Sequence, residues 1–424
     1  RHDARTHAAP RTGPAGEDVT VGYDGTAGGV HGAGVRADPA VTAPVPAHAV
    51  AAAADERRRF TFAWDDLPLV TPDLPGTGGI IRATPDDFRV TELPAYLPEG
   101  SGSHRYLLVE KRGHTTRDLL TALQRAGVEP NAIGVAGLKD KAAVTVQWLS
   151  VPKRHADAVA ELAAMPGVRI LSESYHRNKL GIGHLRGNRF EITVQGVEEG
   201  AERRAEAVLA ALAVLGSPNW FGPQRFGRFG ANAHDGLRVL RGERVPGGHH
   251  LKRFFVSALQ SLLFNAMLAE RHARGWYGTV VEGDWARKHD TGGTFLVEDA
   301  ALDSPRAQRL EISATLPLHG RKVKPGVGRA GEVEAQALER FGLRWAQFGS
   351  RRGDRRITRV VLGETTVVRA GDALTVGFDL PKGAYATAVL REITKLDVDA
   401  PFEAPSYSGQ DGDIGDDQAG ADER

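Results

Sequence analysis

Residues 134–148 read GVAGLKDKAAVTVQW, and this stretch decides how the centre of the chain folds. A turn that contains glycine leads into a run rich in β-branched residues, so a loop followed by a strand over 144–151 is predicted. Asp140 lies in the loop, where a solvated turn residue is the usual interpretation. Two features favour a function for this acid. The lysines on either side, Lys139 among them, stabilise an ionised carboxylate, and Gly137 allows a ligand to approach closely.

Strands and helices alternate on both sides of this stretch. Thr115 and Asp118 form a capping-box pattern, which predicts a helix that begins there and ends at Gly127. Apolar and polar residues alternate over 188–195, which predicts a half-buried strand. Further strands are predicted over 79–84, 88–92, 105–110, 168–172, 356–362, 373–380 and 384–390, and further helices over 154–165, 199–215 and 252–274.

This order of elements predicts an α+β protein with a mainly antiparallel sheet. The composition changes after residue 216, and strand patterns return near residue 356, so a domain inserted into another domain is expected. Both ends of the chain lack helical or strand periodicity and are predicted to be disordered. The predicted parts are a disordered extension (1–57), a first domain in two pieces (58–216 and 353–397), the inserted α/β domain (217–352) and a disordered acidic tail (398–424).

The 424 residues carry a net charge of +1, but the charges are unevenly distributed. Residues 397–424 hold nine acids and one arginine, a net charge of −8, so residues 1–396 carry +9. A basic body suits a polyanionic partner, although charge alone does not distinguish RNA, DNA and anionic lipid. No apolar run approaches the roughly 20 residues of a membrane-spanning helix, so no membrane span is expected.

The chain contains no cysteine. Disulfide frameworks, thiolate nucleophiles and cysteine-based zinc sites are therefore excluded, and a cytoplasmic location is expected. The first residues do not show a charged segment followed by an apolar run, so no secretory signal is expected, and a start at Arg1 suits a fragment. A Walker lysine loop, an HExxH zinc motif and a nucleophile elbow are all missing, so we expect neither a metal nor a nucleotide cofactor.

Two basic segments are candidates for nucleic-acid contacts. In the first, YHRNKLGIGHLRGNRFEITV (175–194), Arg186 and other basic residues are interleaved with glycines, so phosphates could lie along a loop there; a solvated charged loop is an equally good interpretation. Asn188 and Phe190 share the parity of the apolar residues in the strand that follows. Ordinary core packing is the default interpretation of Phe190.

The second segment, PNWFGPQRFGRFG (218–230), sets aromatic residues beside Arg225 and Arg228 on a glycine-rich backbone. Unpaired bases and phosphates require this combination, although such a loop could equally be tucked beneath a domain. Further along, the loop HGRKVKPGVGR (319–329) offers Arg321, Lys322 and Lys324 to the body of an RNA. A polar stripe on the helix over 252–274 (Ser257, Gln260, Ser261 and Asn265) is assigned by default to capping or packing.

Six blocks of the sequence together resemble the ordered motifs of the TruD family of tRNA pseudouridine synthases. They cover about residues 79–393, and their order is that of the family. The blocks are RATPDDFRVTELP (82–94), AGLKDKAAVTVQW (136–148), HRNKLGIGHLRGNRF (176–190), PNWFGPQRFG (218–227), RFFVSALQSLLFN (253–265) and GAYATAVLREI (383–393).

The resemblance implies a pseudouridine-synthase fold interrupted by a family-specific insertion, acting on a tRNA uridine, at position 13 in bacterial members, without cofactor or metal. Asp140 occupies the place of the family's catalytic aspartate. Phe88, Asn188 and Phe190 match positions that line that site. Arg82 stands where bacterial relatives often carry lysine, and the two cations differ in hydrogen-bond geometry. Substrate contacts are accordingly expected from these four residues and from Lys139.

Pseudouridine formation makes chemical sense of a single acid. The N1 to C1′ bond breaks, the uracil turns over, C5 joins C1′ and the C5 proton leaves. An ionised carboxylate could attack C1′ or remove the C2′ proton, and the sequence leaves both routes open. Hydrolysis would release the base, so water must be excluded and the flipped uridine should meet Asp140 in an enclosed site.

Two other functions compete with this hypothesis. A non-catalytic RNA-binding protein or tRNA chaperone on the same fold would bind tRNA without depending on Asp140. A nucleoside hydrolase or base-excision glycosylase would release free uracil, and such hydrolysis normally uses two carboxylates. For a synthase, the expected partner is tRNA and the expected oligomeric state is a monomer.

Overall fold

The structure is a computed structural model that describes residues 47–155 and 157–398. Described residues from Ala51 onward belong to one compact unit, and of residues 47–50, which fall outside that unit, only the backbone is described. In chain order the strands of the described residues are β1 Ile80–Ile81, β2 Phe88–Pro94, β3 His104–Lys111, β4 Gly134–Val135, β5 Val144–Pro152, β6 Val168–His176, β7 Leu185–Gln195, β8 Ser217–Pro218, β9 Trp285–Lys288, β10 Thr294–Leu296, β11 Ile312–Leu318, β12 Asp354–Ile357, β13 Arg359–Val360, β14 Thr366–Ala370 and β15 Ala373–Pro381.

The helices of the same residues differ widely in length, from six residues in α3 to 25 in α6. In chain order they are α1 Ala47–Arg59, α2 Thr116–Arg125, α3 Ala158–Ala163, α4 Ala201–Leu215, α5 Asn232–Leu240, α6 His249–Ala273, α7 Ala300–Gln308, α8 Gly328–Arg340 and α9 Ala386–Thr394.

One large sheet unites the early and late parts of the chain. Its main path runs β14-β15-β7-β2-β5-β3-β6, with β1 paired to β7 and β4 paired to β5. The β2–β5 pair at the centre is parallel, and the other pairs of this sheet are antiparallel. The predicted α+β class with a mainly antiparallel sheet is therefore confirmed.

Helices cover the two halves of this sheet and form separate cores. On one half, α4 and α9 pack against β7 and β15, burying residues such as Val208, Ile192 and Leu390 completely. On the other half, α2 and α3 pack against β3 and β5 through Leu123, Leu162 and similar side chains. The neighbouring strands β2 and β5 lie where these two halves of the sheet meet.

Strands between β7 and β14 form sheets of their own. The order β10-β9-β11-β12 makes a four-stranded sheet, and β8 pairs with β13. Behind the four-stranded sheet, α6 contributes a long buried face that includes Leu263 and Met267. The large sheet is therefore discontinuous in sequence, but the predicted domain boundaries at 217 and 353 remain a prediction.

Two predictions of secondary structure were wrong. A strand was expected over 384–390, but α9 occupies Ala386–Thr394, because Ala386, Val389, Leu390 and Ile393 follow helical spacing and are all buried. Disorder was expected up to residue 57, but α1 covers 47–57 and beyond, as a run of alanines favours a helix. The rest of that extension and residues 399–424 of the tail lie outside the described residues.

The helix predicted from the capping box is confirmed. Thr115 accepts a hydrogen bond from the Asp118 backbone, the Asp118 carboxylate accepts one in return, and α2 follows as expected. The helix predicted over 154–165 is shorter than expected, since a 3-10 turn over Lys153–His155 precedes α3. In the described part of the chain, no helix is both long and apolar enough to cross a membrane.

Candidate active site

Asp140 lies in the loop that connects β4 to β5, and its side chain is exposed. The neighbouring Leu138 and Lys141 are exposed as well. The expectation that Asp140 lies in an enclosed site does not hold for the protein without RNA, because the Asp140 side chain is exposed although Gly137 and Ala143 of the same loop are buried.

The backbone of this loop is nevertheless firmly held. The buried Lys111 ammonium donates hydrogen bonds to the carbonyl oxygens of Lys139 (3.3 Å) and Asp140 (2.8 Å). The Thr116 hydroxyl accepts a bond from the Lys139 amide at 2.8 Å, and the Gln147 side-chain amide donates to the Gly137 carbonyl at 3.4 Å. An exposed carboxylate is thus carried on an ordered backbone.

Strand register brings several predicted residues onto one face of the large sheet. Asn188 pairs with Glu92 and Phe190 with Val90 across β7 and β2, and directly paired residues project from the same face. Phe88, two positions before Val90 on β2, shares that face. The predicted ligand-contacting residues of β2 and β7 therefore stand side by side near the centre of the sheet.

Aromatic rings connect this face to a cation. The rings of Phe88 and Phe190 meet edge-to-face with centroids 6.2 Å apart, and Phe190 stacks on Phe378 at 5.7 Å. The Arg82 guanidinium lies 3.8 Å from the Phe88 ring centroid. Burial lowers the pKa of Arg82, and the charge of Asp140 partly opposes this shift. Arg82 therefore links the aromatic pair electrostatically to Asp140.

Arg82 adopts a left-handed backbone conformation, with φ at 59°. Residues other than glycine rarely take this conformation, and positions that do are concentrated at functional sites. In this conformation the Arg82 guanidinium lies over the Phe88 ring.

Lys139 forms a buried ion pair with Glu92. Its ammonium lies 3.2 Å from the Glu92 carboxylate, and the two side chains are 7% and 1% exposed. Burial raises the pKa of Glu92, and the Lys139 charge partly opposes this effect. The carboxylate also accepts a hydrogen bond from the Trp148 amide at 3.3 Å. Lys139 therefore attaches the loop to β2, and its contact with a substrate stays a prediction.

Asn188 carries a buried side-chain oxygen that has no hydrogen-bond partner among the described residues. Buried polar atoms are nearly always paired, so an unpaired one calls for an explanation. A ligand that offers an N–H group would satisfy it. This amide is therefore the best candidate in the site for recognising a polar edge of a base.

The structure brings together five of the predicted site residues with Asp140: Arg82, Phe88, Lys139, Asn188 and Phe190. Two further members, Lys111 and Glu92, were missed from the sequence. Both stand at strand positions that share parity with apolar residues, namely Leu107 and Val109 in β3 and Phe88 and Val90 in β2. A charged residue at a core position is the signal that could have revealed them.

The predicted RNA contacts are distributed over several surfaces. Arg186 is exposed, and its guanidinium donates to the Pro94 carbonyl. Arg228 is exposed above Phe229, a ring that is itself 75% exposed. The loop before α8 leaves the side chains of Arg321, Lys322 and Lys324 exposed, and the Lys324 ammonium lies 5.6 Å from the Trp285 ring.

Arg225 differs from these because its guanidinium is held within the protein. It donates to the hydroxyls of Ser257 (2.6 Å) and Ser261 (3.1 Å), which belong to the polar stripe of α6. Asn265 of the same stripe bonds to both the amide and the carbonyl of Phe221 at 2.9 Å. The default assignment of this stripe to packing is confirmed, since it anchors the 218–230 segment.

Comparison with known proteins identifies one family. The model of the family described as tRNA pseudouridine synthase D (TruD) matches residues 66–245 and 247–393. A tRNA pseudouridine synthase D of Thermus thermophilus is 50% identical over 346 residues, covering 81% of this chain and 97% of that protein. One of Anaeromyxobacter dehalogenans is 49% identical over 349 residues, with 80% and 99% coverage.

A solved structure shares the fold. The crystal structure of a Methanosarcina mazei protein assigned to tRNA pseudouridine synthase D superposes with a TM-score of 0.63 and covers 81% of this chain and 98% of that one. At 23% sequence identity, this likeness speaks for the fold alone.

Proposed function

The chain belongs to the TruD family of tRNA pseudouridine synthases, and from this membership we propose that it isomerises a tRNA uridine, at position 13, with Asp140 as the catalytic residue. The observation that carries the proposal is the meeting of one exposed carboxylate with Arg82, the Phe88–Phe190 pair and the unpaired oxygen of Asn188. Each feature matches a requirement of a flipped uridine.

The chemistry needs no net gain or loss of atoms. The N1 to C1′ bond breaks, C5 bonds to C1′, and the C5 proton passes to solvent while N1 takes up a proton. Asp140 either attacks C1′ or removes the C2′ proton, and both routes begin from the ionised carboxylate. Arg82 supplies a positive charge beside the reacting groups, and Asn188 accepts a hydrogen bond from an N–H of the uracil.

The uridine must leave its stack to reach Asp140, which costs a few kcal/mol. The Phe88 and Phe190 rings offset part of this cost by contact with the base. Because Asp140 is exposed without RNA, the tRNA itself completes the enclosure that keeps water from the detached base. This differs from a site closed in advance by the protein.

Binding of the tRNA body is assigned to exposed cations outside the site. Arg186, Arg228, Arg321, Lys322 and Lys324 face solvent and can contact phosphates, whereas Arg225 orders the 218–230 segment. We extend the proposal to the division of the chain into a catalytic domain of two pieces and an RNA-gripping insertion at 217–352. A monomer remains the predicted state.

The direct test is Asp140→Asn, which removes the charge and keeps the shape. We expect this variant to fold and bind tRNA with unchanged affinity but to form no pseudouridine, measured by carbodiimide labelling of treated tRNA. Asp157→Asn serves as the control, because Asp157 is an exposed acid before α3 whose side chain caps no helix. Appreciable turnover by Asp140→Asn would remove Asp140 from its role.

The same assay separates the competing functions. A non-catalytic RNA-binding protein or tRNA chaperone would leave wild-type-treated tRNA without carbodiimide adducts at new positions. A hydrolase or glycosylase would release free uracil, which chromatography detects directly. Neither outcome is expected, since an isomerase retains the base in the RNA.

A further inference from the structure

Lys111 is a completely buried lysine at the end of β3, with 0% of its surface exposed. Its ammonium donates three hydrogen bonds, all to backbone carbonyl oxygens: His114 at 2.7 Å, Asp140 at 2.8 Å and Lys139 at 3.3 Å. No carboxylate among the described residues pairs with it within 4 Å. A buried charge of this kind is costly unless it is fully hydrogen-bonded, so the arrangement implies a role for the charge.

We propose that Lys111 is a positioning residue whose protonated ammonium fixes the backbone that carries Asp140, so that turnover requires this proton. The inference rests on the proposed function of Asp140 and deepens it by adding a regulatory requirement. Lys111 acts through the loop and touches no reacting atom.

Proton count explains why the ionised form is needed. An ammonium has three N–H donors, one for each of the three carbonyls, whereas a neutral amine has two donors and a lone pair that repels the third oxygen. Charge-assisted bonds are also about twice as strong as neutral ones. Loss of the proton therefore breaks at least one of these three bonds and weakens the others, and two of the three hold the backbone of residues 139 and 140.

Other contacts to this loop do not replace the ammonium. Thr116 holds the Lys139 amide and Gln147 holds the Gly137 carbonyl, but neither contacts the Asp140 backbone. Neither group titrates in the physiological range. The Lys139–Glu92 ion pair also holds the loop, but it does so through the Lys139 side chain. Among these anchors, Lys111 is therefore the titratable group that bonds directly to the Asp140 carbonyl.

The electrostatic surroundings set where the proton is lost. Burial lowers the pKa of Lys111 from 10.5 to about 8; the Asp140 and Asp118 carboxylates oppose this shift, and the Lys139 ammonium adds to it. These groups come from the Asp140 loop and from α2, which pack against the end of β3. Loss of this proton, and the fall in turnover that it causes, is therefore expected just above neutral pH.

As pH rises above about 8 and Lys111 loses its proton, the stability of the fold is expected to increase while turnover decreases. The unfolded chain keeps the Lys111 proton up to about pH 10.5 while the folded chain releases it near pH 8, so this residue makes the fold more stable as pH rises through that window. A purely structural lysine would therefore cause no loss of activity there. A positioning lysine causes turnover to fall while the protein stays folded.

The experiment measures single-turnover rates between pH 6.5 and 9.5, with protein in saturating excess over tRNA that carries tritium at uridine C5, where each turnover releases the label. Three proteins are compared with wild type: Lys111→Arg, which keeps a charge that is not lost in this range, Lys111→Met, and the control Lys395→Met. Lys395 is a partly buried lysine of the α9 terminus that also donates to a backbone carbonyl, that of Thr71. Circular dichroism checks folding at each pH.

We expect the wild-type rate to fall at least fivefold between pH 7.5 and 9.5 with unchanged circular dichroism. Lys111→Met should lose about 100-fold in rate at pH 7.5, the size of effect that a misplacement of about 1 Å produces, with the half-saturating protein concentration within threefold of wild type. Lys111→Arg should retain activity and lose the alkaline decline, and Lys395→Met should keep the wild-type profile. Ionisation of uridine is common to all variants and cancels in the comparison.

A flat wild-type profile, a folded Lys111→Met with a rate within twofold of wild type, or an unchanged decline in Lys111→Arg would overturn the proposal. If Lys111→Met does not fold, the wild-type and Lys111→Arg profiles decide. If neither variant folds, the position of the wild-type decline decides: a midpoint near pH 8, the pKa of Lys111, supports the proposal, and a flat profile or a decline confined to the alkaline end of the range overturns it. Failure of the proposed function would be distinct, because wild type would then release no tritium at any pH.

Discussion

The side-chain oxygen of Asn188 is placed to bond a ligand, since among the described residues it makes no hydrogen bond that stabilises the fold. Its buried oxygen lacks a partner in the described chain, so the free protein bears the desolvation cost of that atom. A substrate that donates a hydrogen bond to this oxygen would offset that cost. A substitution of Asn188 can therefore change activity without changing the stability of the fold.

We expect Asn188→Ala to lower kcat/KM for tRNA by at least about tenfold, because a hydrogen bond to the base is lost. Its free energy of unfolding should stay within about 1 kcal/mol of wild type, because the oxygen makes no bond in the free protein. The matched control is Thr315→Val in β11, whose buried hydroxyl bonds to the Trp285 carbonyl at 2.6 Å. That variant should lose stability and keep its kcat/KM; equal kinetics in the two variants would contradict the role of Asn188.

Some residues of the candidate site could be predicted from the sequence, and others could not. Asp140 stood out because a lone acid between lysines is chemically conspicuous, and Phe190 because its strand parity was visible. Lys111 and Glu92 were missed because their roles depend on burial and on partners that lie 28 and 47 positions away in sequence. Only the folded chain brings such partners within hydrogen-bond distance.

Helix α2 begins with two adjacent threonines that have separate duties. Thr115 caps the helix by accepting the Asp118 amide at 3.2 Å. Thr116 turns inward, donates to Gln147 at 2.8 Å and accepts the Lys139 amide. One helix terminus thus serves both the stability of the fold and the position of the Asp140 loop.

The different hydrogen bonds of Thr115 and Thr116 allow a matched pair of variants. Thr115→Ala should reduce the free energy of unfolding by about 1 kcal/mol, the usual value of an N-cap, and leave turnover unchanged. Thr116→Val keeps the volume of the side chain but removes both bonds, so turnover should fall several-fold when measured on folded protein. Denaturant melts and tritium-release rates on both variants provide the measurement. If Thr115→Ala were the less active of the two, the assignment of duties would be reversed.

Element boundaries were predictable where local chemistry determines them. The start of α2 follows from its capping box, and β7 follows from strict alternation. The segment over 384–390 was misassigned to a strand because its small and apolar residues fit both periods over so short a stretch. Burial of Ile393 one turn beyond Leu390 resolves the ambiguity, and that burial depends on packing against α4, which is distant in sequence.

At the scale of the whole molecule, we assign the proposed catalysis and the proposed binding of the tRNA body to different parts of the chain. The large sheet carries the candidate site, and the residues between β7 and β14 carry the exposed loop with Arg321, Lys322 and Lys324. Sequence order alone predicted that a split sheet surrounds other elements, since strand patterns flank the middle. It could not predict how the central strands pair, because β2 and β5 are parallel neighbours in the sheet although β3 and β4 lie between them in sequence.

A separate grip on RNA should appear in the salt dependence of binding. Each phosphate contact releases counterions, so the logarithm of affinity falls with the logarithm of salt concentration by roughly 0.7 to 0.9 per contact. Replacing Arg321, Lys322 and Lys324 by glutamine should therefore weaken tRNA binding and reduce that slope by about 2, while turnover of bound tRNA stays within about twofold. Filter binding at several salt concentrations gives the slope, and single-turnover assays at saturating protein give the rate. The control replaces three exposed arginines on separate helices (Arg58, Arg125 and Arg203), which removes the same charge. Equal slopes in the two triple variants would show that net charge, and not this loop, holds the tRNA.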